Sequence, residues 1–192
     1  MALDPTVRAA FPRWVARWEG VAHALYLDGH KPPLVTTAIG LMIPTLAACQ
    51  RLPWQCAGRP ATADEVNDDW ATVRSMRGGQ LAEVYASELR CRLTDDAIET
   101  ATVAQLDADV ALLELRWPAF SNFPPGVQQA LCGMSWALGA GAQRPGLCSP
   151  EWPNLQAAID RQDWAEAAAQ CAITTSPDSR NEAHRALFSA GQ

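Results

Sequence analysis

The chain has 192 residues, 48% of them hydrophobic, with a formal net charge of -6 and a pI of about 5.0. That length suits one sizeable domain, or one domain with an insertion. Lys31 is the one lysine and no basic cluster occurs, which argues against a nucleic-acid surface and against attraction to anionic membranes.

No stretch is long and apolar enough to span a bilayer. Met1 to Arg8 carry no apolar signal region, so the sequence predicts a chain made in the cytoplasm. Cys49, Cys56, Cys91, Cys132, Cys148 and Cys171 lack CxxC spacing, so neither a zinc site nor any other metal or cofactor is expected. Cys49 and Cys56 bracket a short loop and are the best-placed pair for a disulfide. The alternative is six buried thiols in a reducing compartment. Most of the 8 tryptophans read as core, although such rings also line sugar grooves.

In chain order, Asp4-Pro5 predicts a helix start. Val7, Phe11, Trp14, Val15 and Trp18 follow at helical spacing, and Gly20 is the stop. From Leu25 to Ile43, strand-favouring residues and an Asp28-Gly29 turn predict a small antiparallel sheet, with Pro32-Pro33 lengthening the loop between strands. Pro44 to Pro60 reads as a loop. Thr62 and Glu65 form a capping box for a helix to about Met76, which Gly78-Gly79 ends. A helical or mixed segment covers Gln80 to Arg92. Thr102 to Gln105 reads as a second capping box, opening a helix that ends before Pro118. Pro124-Pro125-Gly126 leads into the most hydrophobic helix, with Val127, Ala130, Leu131, Met134 and Leu138 on one stripe and Gly139 and Gly141 after it. Shorter helices follow at Asn154–Ile159, from Asp163, and from Ser179. The reading is one α+β domain over 1–192, predominantly α.

Glu19 ends the first helix, where the helix dipole disfavours an anion, and a buried carboxylate there tends toward a raised pKa. Asp28 sits in a polar turn nine residues on, and Thr36 follows. Two carboxylates in unlike environments can divide acid and base work at a glycosidic bond. On spacing alone, the alternative is two solvated surface carboxylates. His23, His30 and His184 are scattered and read as core or surface residues. No Gly-x-Ser-x-Gly, phosphate loop or dinucleotide pattern is present.

Glu19-Gly20, Tyr26-x-Asp28 and Thr36-x-Ala38-x-Gly40, in that order, resemble the bacteriophage-type lysozyme family, glycoside hydrolase family 24. Downstream, Gln129-Ala130-Leu131, Trp136 to Gly141, Ile159-Asp160, Trp164 to Ala168, Arg180 to Ala183 and Arg185 to Phe188 are similar to its later helices. The departures are Ala38 for the first glycine of Thr-x-Gly-x-Gly, Leu41 where histidine is common, Ala137 for an amide, and an enlarged or inserted lobe over about 44–101. The resemblance implies a lysozyme-like fold with a small sheet and a helical lobe. It also implies a monomeric muramidase that cleaves the β-1,4 bond between N-acetylmuramic acid and N-acetylglucosamine in peptidoglycan. Glu19 would be the acid, Asp28 the second carboxylate, Thr36 the holder of water, and Arg180 the partner of Glu19. The rival readings are an inactive wall-binding module of the same fold and a lytic transglycosylase. The muramidase would act in the periplasm or on the wall, as an endolysin or as a delivered effector with a cognate immunity protein.

Overall fold

The computed structural model describes residues 3–141 and 146–191. Met1 and Ala2, at the head of the stretch read for a signal region, lie outside them. The protein is mostly helical with small antiparallel sheets, an α+β chain that is mainly α. It forms two compact units, Val15–Ala104 and Met1–Trp14 with Gln105–Gln192. No helix among the described residues is long and apolar enough to cross a membrane.

The sheet-bearing unit takes in the end of α1 (Pro5–Glu19), then β1 (Ala22–Leu27), β2 (Val35–Ala38) and β3 (Leu41–Met42) as one antiparallel sheet in that order. Tyr26 pairs with Thr36 and Leu27 with Val35, and the register shifts by a bulge between Ala22 and Tyr26. Every β2 side chain is buried, which explains its run of Val, Thr and Ala without polar alternation.

The stretch expected to be a loop carries α2 (Leu46–Gln50) and a hairpin of β4 (Gln55–Cys56) and β5 (Arg59–Pro60). Thr45 caps α2, accepting from the Ala48 amide at 3.1 Å. The hairpin turns at Ala57 and Gly58, both at positive φ (51° and 78°), the geometry of a two-residue primed turn. Next come α3 (Ala63–Ser75), α4 (Ala82–Ala86) and β6 (Cys91–Arg92), which pairs with β4. The Thr62 capping box is formed in both directions. Asp69, buried on α3, accepts the Arg90 and Cys91 amides and so fixes β6.

All six cysteines are free thiols, so the Cys49–Cys56 bridge is not formed. Trp54 is buried between them in the chain and donates its indole N–H to the Cys49 carbonyl at 2.8 Å, while Cys56 lies opposite Cys91 across β4 and β6.

The helical unit begins with the first part of α1. Asp4 caps it, accepting from Thr6 and Val7 amides at 2.8 and 3.4 Å. Val7, Phe11 and Trp14 form its buried stripe, which holds the helix through Pro12 although proline there removes a hydrogen bond.

α5 runs from Asp95 to Arg116, so the box expected at Thr102 is not a cap. Thr102 is buried inside the helix, its hydroxyl donating to the Ile98 carbonyl at 2.8 Å, and Thr94 accepts from the Ala97 amide instead. α6 (Pro125–Leu138) is the core helix, ended by Gly139 at φ 84°. α7 (Pro153–Asp160), α8 (Trp164–Gln170) and α9 (Asp178–Ser189) complete the unit. Asp160 ties α7 to the end of α5, accepting from Arg116 and from the Trp117 indole at 2.8 and 2.9 Å. α9 starts one residue before the expected Ser179, behind Pro177. Five tryptophans, at 14, 54, 70, 117 and 164, are buried, which supports the core reading for most of them.

Candidate active site

Three of the four expected site residues, Glu19, Asp28 and Thr36, lie in the sheet-bearing unit. Glu19 is the last residue of α1, and Gly20 turns the chain out of the helix at φ 71°. The Glu19 side chain is half-buried and lies over Gly40. A Cβ at residue 40 would stand 3.3 Å from Glu19 Oε2, and the backbone there has φ 71°. Glycine at 40 is therefore favoured twice, by left-handed geometry and by the carboxylate above it. Two residues earlier Ala38 takes φ 53° while buried. The backbone at that position thus has the conformation that suits glycine, and alanine bears the strain.

Asp28 follows β1, and its carboxylate organises the loop to Leu34. Oδ1 accepts the His30 and Leu34 amides at 3.0 and 2.9 Å. Oδ2 faces His30 Nδ1 at 2.7 Å, and the Thr36 hydroxyl donates to it across a longer 3.5 Å. The Asp28 amide closes the loop on the Leu34 carbonyl at 3.0 Å. Thr36 is buried on β2 and also donates to the Leu34 carbonyl, at 3.3 Å. Lys31 stands exposed in the same loop, beside the cis Lys31–Pro32 bond.

The segment after α3 supports this loop. Gly79 donates its amide to the Leu27 carbonyl at 3.2 Å, and the buried Tyr85 hydroxyl spans the Leu27 and Arg77 carbonyls at 3.1 and 2.6 Å. Gly78 lies against Pro33, where a Cβ would fall 2.4 Å from the proline ring. The pair expected only to break a helix therefore also makes room for the loop.

Tyr26 packs its ring 6.5 Å from that of Tyr85. Its phenol is pushed up to about 12, first by burial and then by the charges of Glu19 and Asp28. Both carboxylates thus bear on one side chain, a sign that they share a neighbourhood.

Arg180 lies in the helical unit. It is buried in the first turn of α9 and donates Nη2 to the Gly133 carbonyl of α6 at 3.3 Å. His184, one turn on, is fully buried against Trp14, and among the described residues neither ring nitrogen finds a hydrogen-bond partner. Burial, and next the Arg180 charge, push its pKa down to about 4.

The sequence nominated Glu19, Asp28, Thr36 and Arg180 and gave no site role to His30, Tyr85 or Gly78. The Asp-x-His spacing of an Asx turn was the available signal for His30. Among the described residues, no three His, Cys, Asp or Glu side chains group to hold a metal ion. No family model matches the chain, and no curated protein matches its sequence.

Proposed function

We propose that the chain is a peptidoglycan muramidase of lysozyme-like fold, with Glu19 as the acid, Asp28 as the second carboxylate and Thr36 placing water. The observation that carries this reading is that both carboxylates meet one short stretch of chain: Asp28 accepts from the Thr36 hydroxyl on β2, and Glu19 lies over Gly40 just after that strand. Their surroundings differ as the chemistry requires. Glu19 is half-buried at a helix end over Gly40, and Asp28 is ringed by hydrogen-bond donors. A carboxyl group at Glu19 protonates the glycosidic oxygen while water adds at the anomeric carbon from the Asp28 side. A net charge of -6 gives no steering toward an anionic wall. Affinity then rests on the groove or on delivery to the periplasm as an effector, whose producer would carry an immunity protein.

The test is purified peptidoglycan incubated with the protein, with products read by reducing-end assay and mass spectrometry. Muropeptides with new reducing ends support the reading. Anhydro-sugar products would instead point to a lytic transglycosylase. Intact glycan that co-sediments with the protein would point to a binding module.

A further inference from the structure

Asp28 spends most of its acceptor capacity inside its own loop. An ionised carboxylate offers about four lone-pair sites, and the His30 and Leu34 amides and His30 Nδ1 take three of them, while the single hydrogen of the Thr36 hydroxyl is shared between Asp28 at 3.5 Å and the Leu34 carbonyl at 3.3 Å. A carboxylate only accepts, so the hydrogen of the 2.7 Å Asp28–His30 contact belongs to Nδ1. In the neutral ring, Nε2 is then the acceptor. The Asp28 side chain is 18% exposed and that of His30 is 71% exposed. The carboxylate stands behind and the imidazole in front, facing solvent.

We infer that His30 is the base of the site, with Asp28 orienting it; this rests on the glycosidase reading above. Water attacks the anomeric carbon and forms a C–O bond as the glycosidic C–O bond breaks. Glu19 gives its proton to the leaving oxygen. The proton lost by the water goes to His30 Nε2, and Asp28 Oδ2 holds Nδ1–H and stabilises the imidazolium. One water is consumed and two hydroxyl-bearing sugars leave. His30 then loses its proton to solvent, and Glu19 regains one. Lys31 is the other titratable group of the loop, and Arg77 precedes the Gly78–Gly79 pair that packs on it.

The experiment is a pH–rate profile of peptidoglycan hydrolysis for wild type, His30→Ala, His30→Gln and Asp28→Asn, each with and without added imidazole. Wild-type turnover across the profile is the reference. His30→Ala should lose about 10²–10⁴-fold in kcat with KM little changed. Added imidazole should restore part of the rate. His30→Gln keeps a side-chain donor for Asp28 without a base, and should stay inactive. Nitrogen NMR of the His30 ring should find the proton on Nδ1 in wild type and a mixture of tautomers in Asp28→Asn. Wild-type hydrolysis with His30→Ala retaining its rate overturns the inference and leaves His30 as a turn residue. Absence of wild-type hydrolysis overturns the glycosidase reading itself, a different failure.

Discussion

The loop after β1 and the helices α6 and α9 both enclose polar side chains, and they treat them in opposite ways. At Asp28 three donors meet the carboxylate within 3.0 Å, and one of them, His30, reaches solvent. Around α6 and α9, His184 and the Ser135 hydroxyl are buried without a hydrogen-bond partner among the described residues. A satisfied polar cluster open at one end is arranged for exchange with something outside. A sealed and unsatisfied polar group costs stability, and is held by shape. His184 fills the space between Trp14 and Gly133. The two regions should therefore fail differently: the loop by losing chemistry, the helices by losing fold.

The largest effect tests that division directly. Glu19→Gln and Asp28→Asn should each lower wall hydrolysis by about 10²–10⁴-fold, with melting curves close to wild type. If either variant melts far lower instead, the loop behaves like the helices and the contrast is broken.

The next effect is in pH. His184 is held down at about 4 against an ordinary 6.5. The unfolded chain thus binds the extra proton between those values, and this contribution to stability is full above pH 6.5 and lost as pH falls toward 4. Asp109, buried on α5 and pushed up to about 6 by burial, works in reverse. Its contribution is full below pH 3.8 and lost as pH rises through 6. Each is worth about 3 kcal/mol over its window, so they nearly cancel. Denaturant titrations from pH 4 to 6.5 should show a shallow slope for wild type. Asp109→Asn should make stability rise with pH, and His184→Leu should make it fall.

Glycine substitutions come next. A Cβ at Gly133 would lie 2.5 Å from the Trp14 ring and 2.8 Å from His184 Nε2, and one at Gly78 would lie 2.4 Å from Pro33. Each alanine should cost about 1–3 kcal/mol by overpacking. Gly78→Ala should also reduce activity by shifting the loop that holds Asp28. Calorimetry with an activity assay on the same samples reads both effects.

The smallest pair is Thr36→Val and Ser135→Ala. The Thr36 hydroxyl has two acceptors, so its removal should cost about 1 kcal/mol. The Ser135 hydroxyl has none among the described residues, so its loss should leave stability unchanged or slightly higher. Equal costs in urea unfolding would erase the distinction.

What could be read from the sequence followed how local each cause was. The Thr62 box was legible because both halves lie within four residues and both form. The Thr102 pattern looks the same, but the helix had already begun behind Thr94, and a four-residue signal carries no such memory. The β4–β5 hairpin has two residues per strand, too few for periodicity, and only Ala57-Gly58 marked it. Asp28 and Thr36 were readable together because one short loop separates neighbouring strands. The support from Tyr85 comes from 58 residues beyond Leu27 and left no local trace. The partnership of His30 with Asp28 depends on a ring orientation that spacing does not encode.

Lys31 gives the loop a chemical address. It is the one lysine in the chain and stands exposed three residues after Asp28. An amine-reactive dye at a pH that favours ε-amino groups would label this loop in preference to every other side chain. Fluorescence anisotropy or quenching at that dye would report glycan arrival without any engineered cysteine, while the native thiols stay unmodified.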